Sequence, residues 1–92
     1  MNQQDANTDF TILRRKQVEA ASGDSRSTIY VKISQGLWTK QVRLGDRSVG
    51  WPAYEVAAIN RARIAGKTDP EIRALVARLE QARSEVCGTG GR

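Results

Sequence analysis

The apolar positions of this chain fall into short groups separated by glycines and polar turns, and each group predicts one element. Phe10 to Leu13 (Phe-Thr-Ile-Leu) is a short apolar run expected to pack against the helix that follows it. Arg15 to Ala21 holds good helix formers, with Val18 and Ala21 making one narrow apolar stripe. Ser22-Gly23-Asp24 breaks that helix, and Gly23 suits the left-handed position after a helix C-terminus. Ser25 is the expected N-cap of a second helix reaching Gln35, with Asp24 as the rival cap. Ile29 and Ile33 stack at i, i+4 on its inner side, and Gly36 ends it. Helix, glycine turn and helix within about twenty residues is the spacing of a helix-turn-helix.

Past Leu37 the period changes. Val42 and Leu44 alternate with Gln41 and Arg43, Gly45-Asp46-Arg47-Ser48 supplies a turn, and Val49-Gly50-Trp51 resumes, so a β-hairpin is expected. Pro52 suits the first position of a third helix reaching about Ala65, with Val56, Ile59 and either Arg63 or Ile64 on one side. Thr68 and Glu71 have capping-box spacing for a fourth helix over about 69–85. Its Ile72, Leu75, Val76 and Leu79 fall at i, i+3, i+4 and i+7, the clearest amphipathic pattern in the chain. Residues 1–9 read as a flexible polar lead and 87–92 as a flexible glycine-rich tail, leaving 10–86 as one domain. The expected fold class is mainly α with a small β-hairpin, followed by an additional C-terminal amphipathic helix.

Composition removes most chemistry. The 92 residues contain no histidine and one cysteine, which takes away the commonest general base, the commonest metal ligand and any internal disulfide. Cys87 reads as an unpaired thiol without a role. There is no phosphate loop and no nucleophile beside a base, so no enzyme, no metal and no cofactor are expected. Charges interrupt every apolar stretch, and the start of the chain lacks the pattern of a signal peptide, so a cytoplasmic protein without a membrane partner is expected.

The net charge of +5 sharpens the picture once it is divided along the chain. Residues 1–30 sum to zero, 31–50 carry Lys32, Lys40, Arg43 and Arg47 against Asp46 for a net +3, and 51–92 add +2. The basic excess therefore sits on the hairpin segment. At the start of the second helix, Ser25, Arg26, Ser27 and Thr28 place hydroxyls, amides and a guanidinium where they can meet phosphates and base edges, with Tyr30 and Lys32 farther along. On spacing alone, DNA contact and plain helix capping stand level there. Arg43 and Arg47 at the hairpin, with Lys40 as a phosphate contact, fit a basic tip entering a minor groove. Trp38, Tyr54 and Trp51 are the aromatic candidates for base stacking, and Trp51, beside Val49 at strand spacing, is assigned to the core.

Three blocks together resemble a known family. Ile12-Leu13-Arg14-Arg15-Lys16-Gln17-Val18, Ser25-Arg26-Ser27-Thr28-Ile29-Tyr30, and Val42-Arg43-Leu44-Gly45 with Arg47-Ser48-Val49-Gly50-Trp51 are similar, in order and spacing, to the AlpA family of phage and prophage regulators. The resemblance implies a winged helix-turn-helix related to the excisionase and MerR-type fold, and a sequence-specific transcriptional regulator whose partner is double-stranded DNA. It would place Arg26, Ser27, Thr28 and Tyr30 on a recognition helix, and Arg43 and Arg47 on the wing. Asp24 stands where members commonly have leucine, and Val31 where they are frequently basic. Two alternatives stay open at this level. One is an excisionase-like architectural factor. The other is an interaction module, or a self-pairing protein, that uses Ile72, Leu75, Val76 and Leu79 on the fourth helix.

Overall fold

A computed structural model describes the backbone of residues 10–91 and the side chains of residues 10–85. The expected lead over 1–9 lies outside the described residues, as do the side chains of the expected tail. The chain runs β1 (Ile12–Arg14), α1 (Arg15–Ser22), α2 (Arg26–Ser34), β2 (Val42–Arg43), β3 (Val49–Pro52), α3 (Ala53–Ile64) and α4 (Asp69–Gly91). It is mainly helical, with one small antiparallel sheet in the order β1-β3-β2.

The helix boundaries follow local chemistry. Gly23 takes φ 79° after α1, where a Cβ would be strained, and its N–H donates to the Glu19 carbonyl at 2.9 Å. Ser25 caps α2 by accepting from the Thr28 N–H at 3.2 Å, which settles the rivalry with Asp24. The Thr68–Glu71 capping box forms in both directions, the Thr68 N–H reaching Glu71 Oε1 at 2.8 Å and the Glu71 N–H reaching Thr68 Oγ1 at 3.4 Å. Pro52 ends β3 and stands just before α3, whose first residue is Ala53.

The expected hairpin is present, but it is part of a larger sheet. Ile12, Leu13 and Arg14 pair with Pro52, Trp51 and Gly50, so the first apolar run is a strand that also lies in contact with α1. Only Leu13 of that run packs on the core, while Phe10 and Ile12 stay exposed. Three residues containing an arginine are too short for a period-2 signal, which is why β1 escaped the sequence pattern. Gly50 is required by close approach: a Cβ there would lie 2.5 Å from the Ile12 side chain and 2.9 Å from the Leu13 carbonyl oxygen.

One core joins all four helices and the sheet, built from Val18, Ile29, Trp38, Trp51, Val56, Ile59, Ile72 and Val76. The helical stripes read from spacing hold at Val18, Ile29, Val56 and Ile59, with Ile33 partly buried beside them. They fail at Ala21 and Ile64, which face solvent. Both stand at helix C-termini, where the chain is already turning away from the core. Leu44 lies outside β2 and is exposed as well. In α4, Ile72 and Val76 are buried and Leu75 and Leu79 partly so, which makes this face the closing wall of the single core.

Candidate nucleic-acid interface

The N-terminus of α2 is built by its own cap. Ser25 Oγ also donates to Thr28 Oγ1 at 3.0 Å, so these two hydroxyls are tied to each other. Ser25, Arg26 and Ser27 remain exposed around that pair, and Thr28 is half-buried. The Arg26 guanidinium has no partner among the described residues. Beyond the first turn the face changes. Tyr30 is half-buried, its ring edge against Trp51 with centroids 6.3 Å apart. Lys32 Nζ donates to Asp24 Oδ2 at 3.0 Å, so its charge is already neutralised within the chain.

Asp24 is the hub of that arrangement. It also accepts from Arg63 of α3 at 3.3 Å, and its side chain is only 11% exposed. The chain thus anchors this turn by an aspartate between two cations. Asn60 donates to the Ala21 carbonyl at 3.0 Å, fixing the end of α1 from the same helix. Arg73 of α4 does the same for α2, its Nε reaching the Gln35 carbonyl at 2.8 Å. The turn and both its helices are therefore held from behind by α3 and α4.

Beside α2, an open concavity of about 580 Å³ is lined by Ile33, Lys40, Arg43 and the turn from Gly45 to Val49. It brings together Lys40, Arg43 and Arg47, with Asp46 as the single acid. All four are exposed, and none of their charged groups bonds to another described residue. Ser25 to Thr28 do not line it: they sit at the far end of α2, roughly 10 Å along the axis from Ile33 at 1.5 Å per residue. The predicted residues thus form two neighbouring groups, and Lys32 belongs to neither.

The position of this basic group is set by a buried ion pair that local spacing could not reveal. Glu55 of α3 is fully buried and accepts two bonds from Arg83 of α4, at 2.8 and 2.7 Å. Those bonds hold the Arg83 guanidinium above its ordinary pKa against the opposing effect of burial. Arg83 also donates to the Lys40 carbonyl at 2.6 Å, and Glu80 accepts from the Lys40 N–H at 2.7 Å. Both backbone groups of Lys40 are clamped by α4, while its ammonium is left outside.

Trp51 is buried in the core, as its strand spacing indicated, and Trp38, a stacking candidate, is buried as well, so neither is available to stack on a base. Trp51 is further fixed by its Nε1, which donates to the Thr39 carbonyl at 2.9 Å. In their place the structure exposes Val31, at 53%, four residues after Ser27 on the same face. That residue was findable as the complement of the Ile29 and Ile33 face. Among the described residues no cluster of acidic or cysteine side chains could hold a metal. No described helix is long and apolar enough to cross a membrane.

The fold is a mainly helical domain with free cations at the start of α2 and on the hairpin, and comparison with known proteins says which family it belongs to. The family described as Prophage CP4-57 regulatory protein (AlpA) matches residues 11–63, and the chain belongs to that family. Its similarity extends to a protein of Enterobacteria phage P4, described as uncharacterized protein ORF88, which is 43% identical over 60 residues, or 65% of this chain and 68% of that one. No solved structure matches the chain significantly. The matched span ends at the close of α3, so α4 lies beyond the part that defines the family.

Proposed function

We propose that this member of a prophage regulatory family is a sequence-specific DNA-binding transcriptional regulator, with residues 10–86 acting as one winged helix-turn-helix unit. In this reading α1 and α2 are the helix-turn-helix and α2 enters the major groove. The β2–β3 hairpin is the wing at the adjacent minor groove. Arg26, Ser25 and Ser27 meet phosphates or base edges, and Val31 offers an apolar contact of the kind a thymine methyl accepts. Arg43 and Arg47 serve the wing, and Lys40 a phosphate. Thr28 and Tyr30 act chiefly by holding the helix start and its packing. Lys32 contributes through the Asp24 anchor.

One observation carries this reading. The charged groups of Lys40, Arg43 and Arg47 are gathered on one concavity beside α2 with no partner among the described residues, although the same chain neutralises Lys32, Arg63 and Arg83 internally. The test is selection of bound duplexes from a random pool, followed by titration across salt concentrations. A consensus is expected, with Arg26→Ala and Arg47→Ala each weakening it about 10- to 100-fold. Lys40→Ala should weaken all sequences alike and reduce the salt slope by about one. No enrichment, or unchanged affinity in both arginine variants, overturns the proposal. Sequence-blind binding that bends DNA would move the assignment to an architectural, excisionase-like factor.

A further inference from the structure

A second concavity, of about 550 Å³, lies between α3 and α4 and shares no residue with the basic hairpin groove. Its floor is made by Ala62 and Ala65 of the α3 end and by Ala74 and Leu75 of α4. Small side chains on both helices leave room for a third backbone to come close, because interaxial distance follows the size of the side chains at the contact. Arg61, Lys67 and Arg78 stand around this floor; all three are exposed, and their charged groups make no hydrogen bond or ion pair to a described residue, Lys67 acting on Glu71 only through space. The one acid on the lining, Glu71, is turned back on its own helix start, where its Oε1 accepts from the Thr68 N–H and hydroxyl. Ile64, adjoining Ala65, is 86% exposed, the most exposed large apolar side chain described.

We propose that this groove docks an acidic, amphipathic helical segment of a partner protein. The choice of occupant follows from charge and surface together. An apolar floor gains free energy only against an apolar face, which a phosphate backbone does not offer. Unpartnered cations on the rim ask for carboxylates that flank such a face. A second copy of this chain is a poor occupant, since each copy brings +5 and the rim would meet like charge. Helix-in-groove recognition, with apolar anchors at i, i+3 or i+4 and acidic neighbours, satisfies floor and rim at once. A regulator built this way keeps its hairpin face for one ligand and the α3–α4 face for another.

Two synthetic helical peptides test this on the full chain labelled with nitrogen-15. Both carry the same alanine and leucine stripe, one flanked by glutamates and the other by lysines. The glutamate peptide is expected to shift the amides of Ala62, Ala65, Ala74 and Leu75 saturably, and to do so equally in Arg26→Ala/Arg47→Ala. Arg61→Glu/Arg78→Glu should weaken it by about tenfold or more and flatten its salt dependence, with the unfolding midpoint unchanged. Equal binding of the lysine peptide, or shifts that vanish in Arg26→Ala/Arg47→Ala, overturns the proposal. So does a DNA duplex that moves the same groove amides, or self-association in sedimentation that the Arg61→Glu/Arg78→Glu change removes. Because the assay needs no operator, its failure and the failure of the DNA reading are separate results.

Discussion

Arg63, Arg73 and Arg83 of the two C-terminal helices each donate to a carbonyl or carboxylate elsewhere in the chain. The guanidinium groups of Arg26, Arg43 and Arg47, on the turn-helix and hairpin, donate to no described residue. The two regions contribute similar net charge, +2 from 51–92 and +3 from 31–50, yet they use it differently. In the first, the guanidinium groups of Arg63, Arg73 and Arg83 are struts that satisfy the ends of α1 and α2 and the backbone of Lys40, while Arg61 and Arg78 stay exposed. In the second they are left in water. Charge alone therefore says little about a binding face, and partnering says much: the cations a protein does not use are the ones it can offer.

The largest expected effect breaks a strut. Arg83→Met leaves the Glu55 carboxylate buried without its counter-ion and should cost about 3–5 kcal/mol, read as a lower urea midpoint. Replacing both partners by apolar residues of similar volume should recover most of that loss, since the pair's attraction is largely spent on desolvation. If Arg83→Met is instead neutral, the clamp on Lys40 is ornamental and the contrast between the regions weakens. Next come the free cations. Arg26→Ala and Arg47→Ala should leave stability within about 0.5 kcal/mol, while each removes about 1–3 kcal/mol of DNA affinity. A stability loss in either variant would mean these side chains are structural after all.

A smaller effect separates matched arginines. Arg73→Ala gives up the bond to the Gln35 carbonyl at the end of α2 and should cost about 1 kcal/mol in denaturant. Arg43→Ala, with no partner to lose, should cost nothing measurable. Both are exposed arginines, so equal costs would show that the hydrogen bond, not exposure, was wrongly credited.

How much of this was legible in the sequence depends on range. Ser25, Gly23 and the Thr68–Glu71 pair mark helix ends because capping acts over two to four residues, and spacing resolves that. The α4 stripe was equally clear, and the core that Ile72 and Val76 help to close shows where it is used. The ion pair of Glu55 with Arg83, 28 residues apart, and the bond from Arg73 to Gln35, 38 apart, leave no local trace. Lys32 shows the limit best. Its helix position and sign suited a ligand, and only the fold brings Asp24, eight residues back across a glycine turn, into contact with it. Arg63, 39 residues on, meets the same Asp24 carboxylate and is equally invisible to local spacing. For the candidate interface, then, residue types and order were readable, while the sorting of free from bound cations required three dimensions.

The smallest expected effect concerns a group that straddles the two regions' behaviours, since Glu71 is exposed yet internally bonded. The Thr68 N–H, then the Thr68 hydroxyl, hold its carboxyl below the usual carboxylate range, and Lys67 adds a through-space pull in the same direction. A carboxyl whose folded-state pKa is depressed binds protons more readily when unfolded. Its contribution is therefore complete above the ordinary carboxylate pKa and disappears as pH falls through the folded value. Glu71→Gln keeps an acceptor for Thr68 but cannot titrate. The stability gap between the parent and Glu71→Gln should thus be largest at neutral pH and close in acid, as urea midpoints across that range would show. A gap that stays constant would mean the Thr68 bonds do not distinguish the two protonation states. Glu71 would then count, like Asp46 on the hairpin, as a surface charge without an internal task.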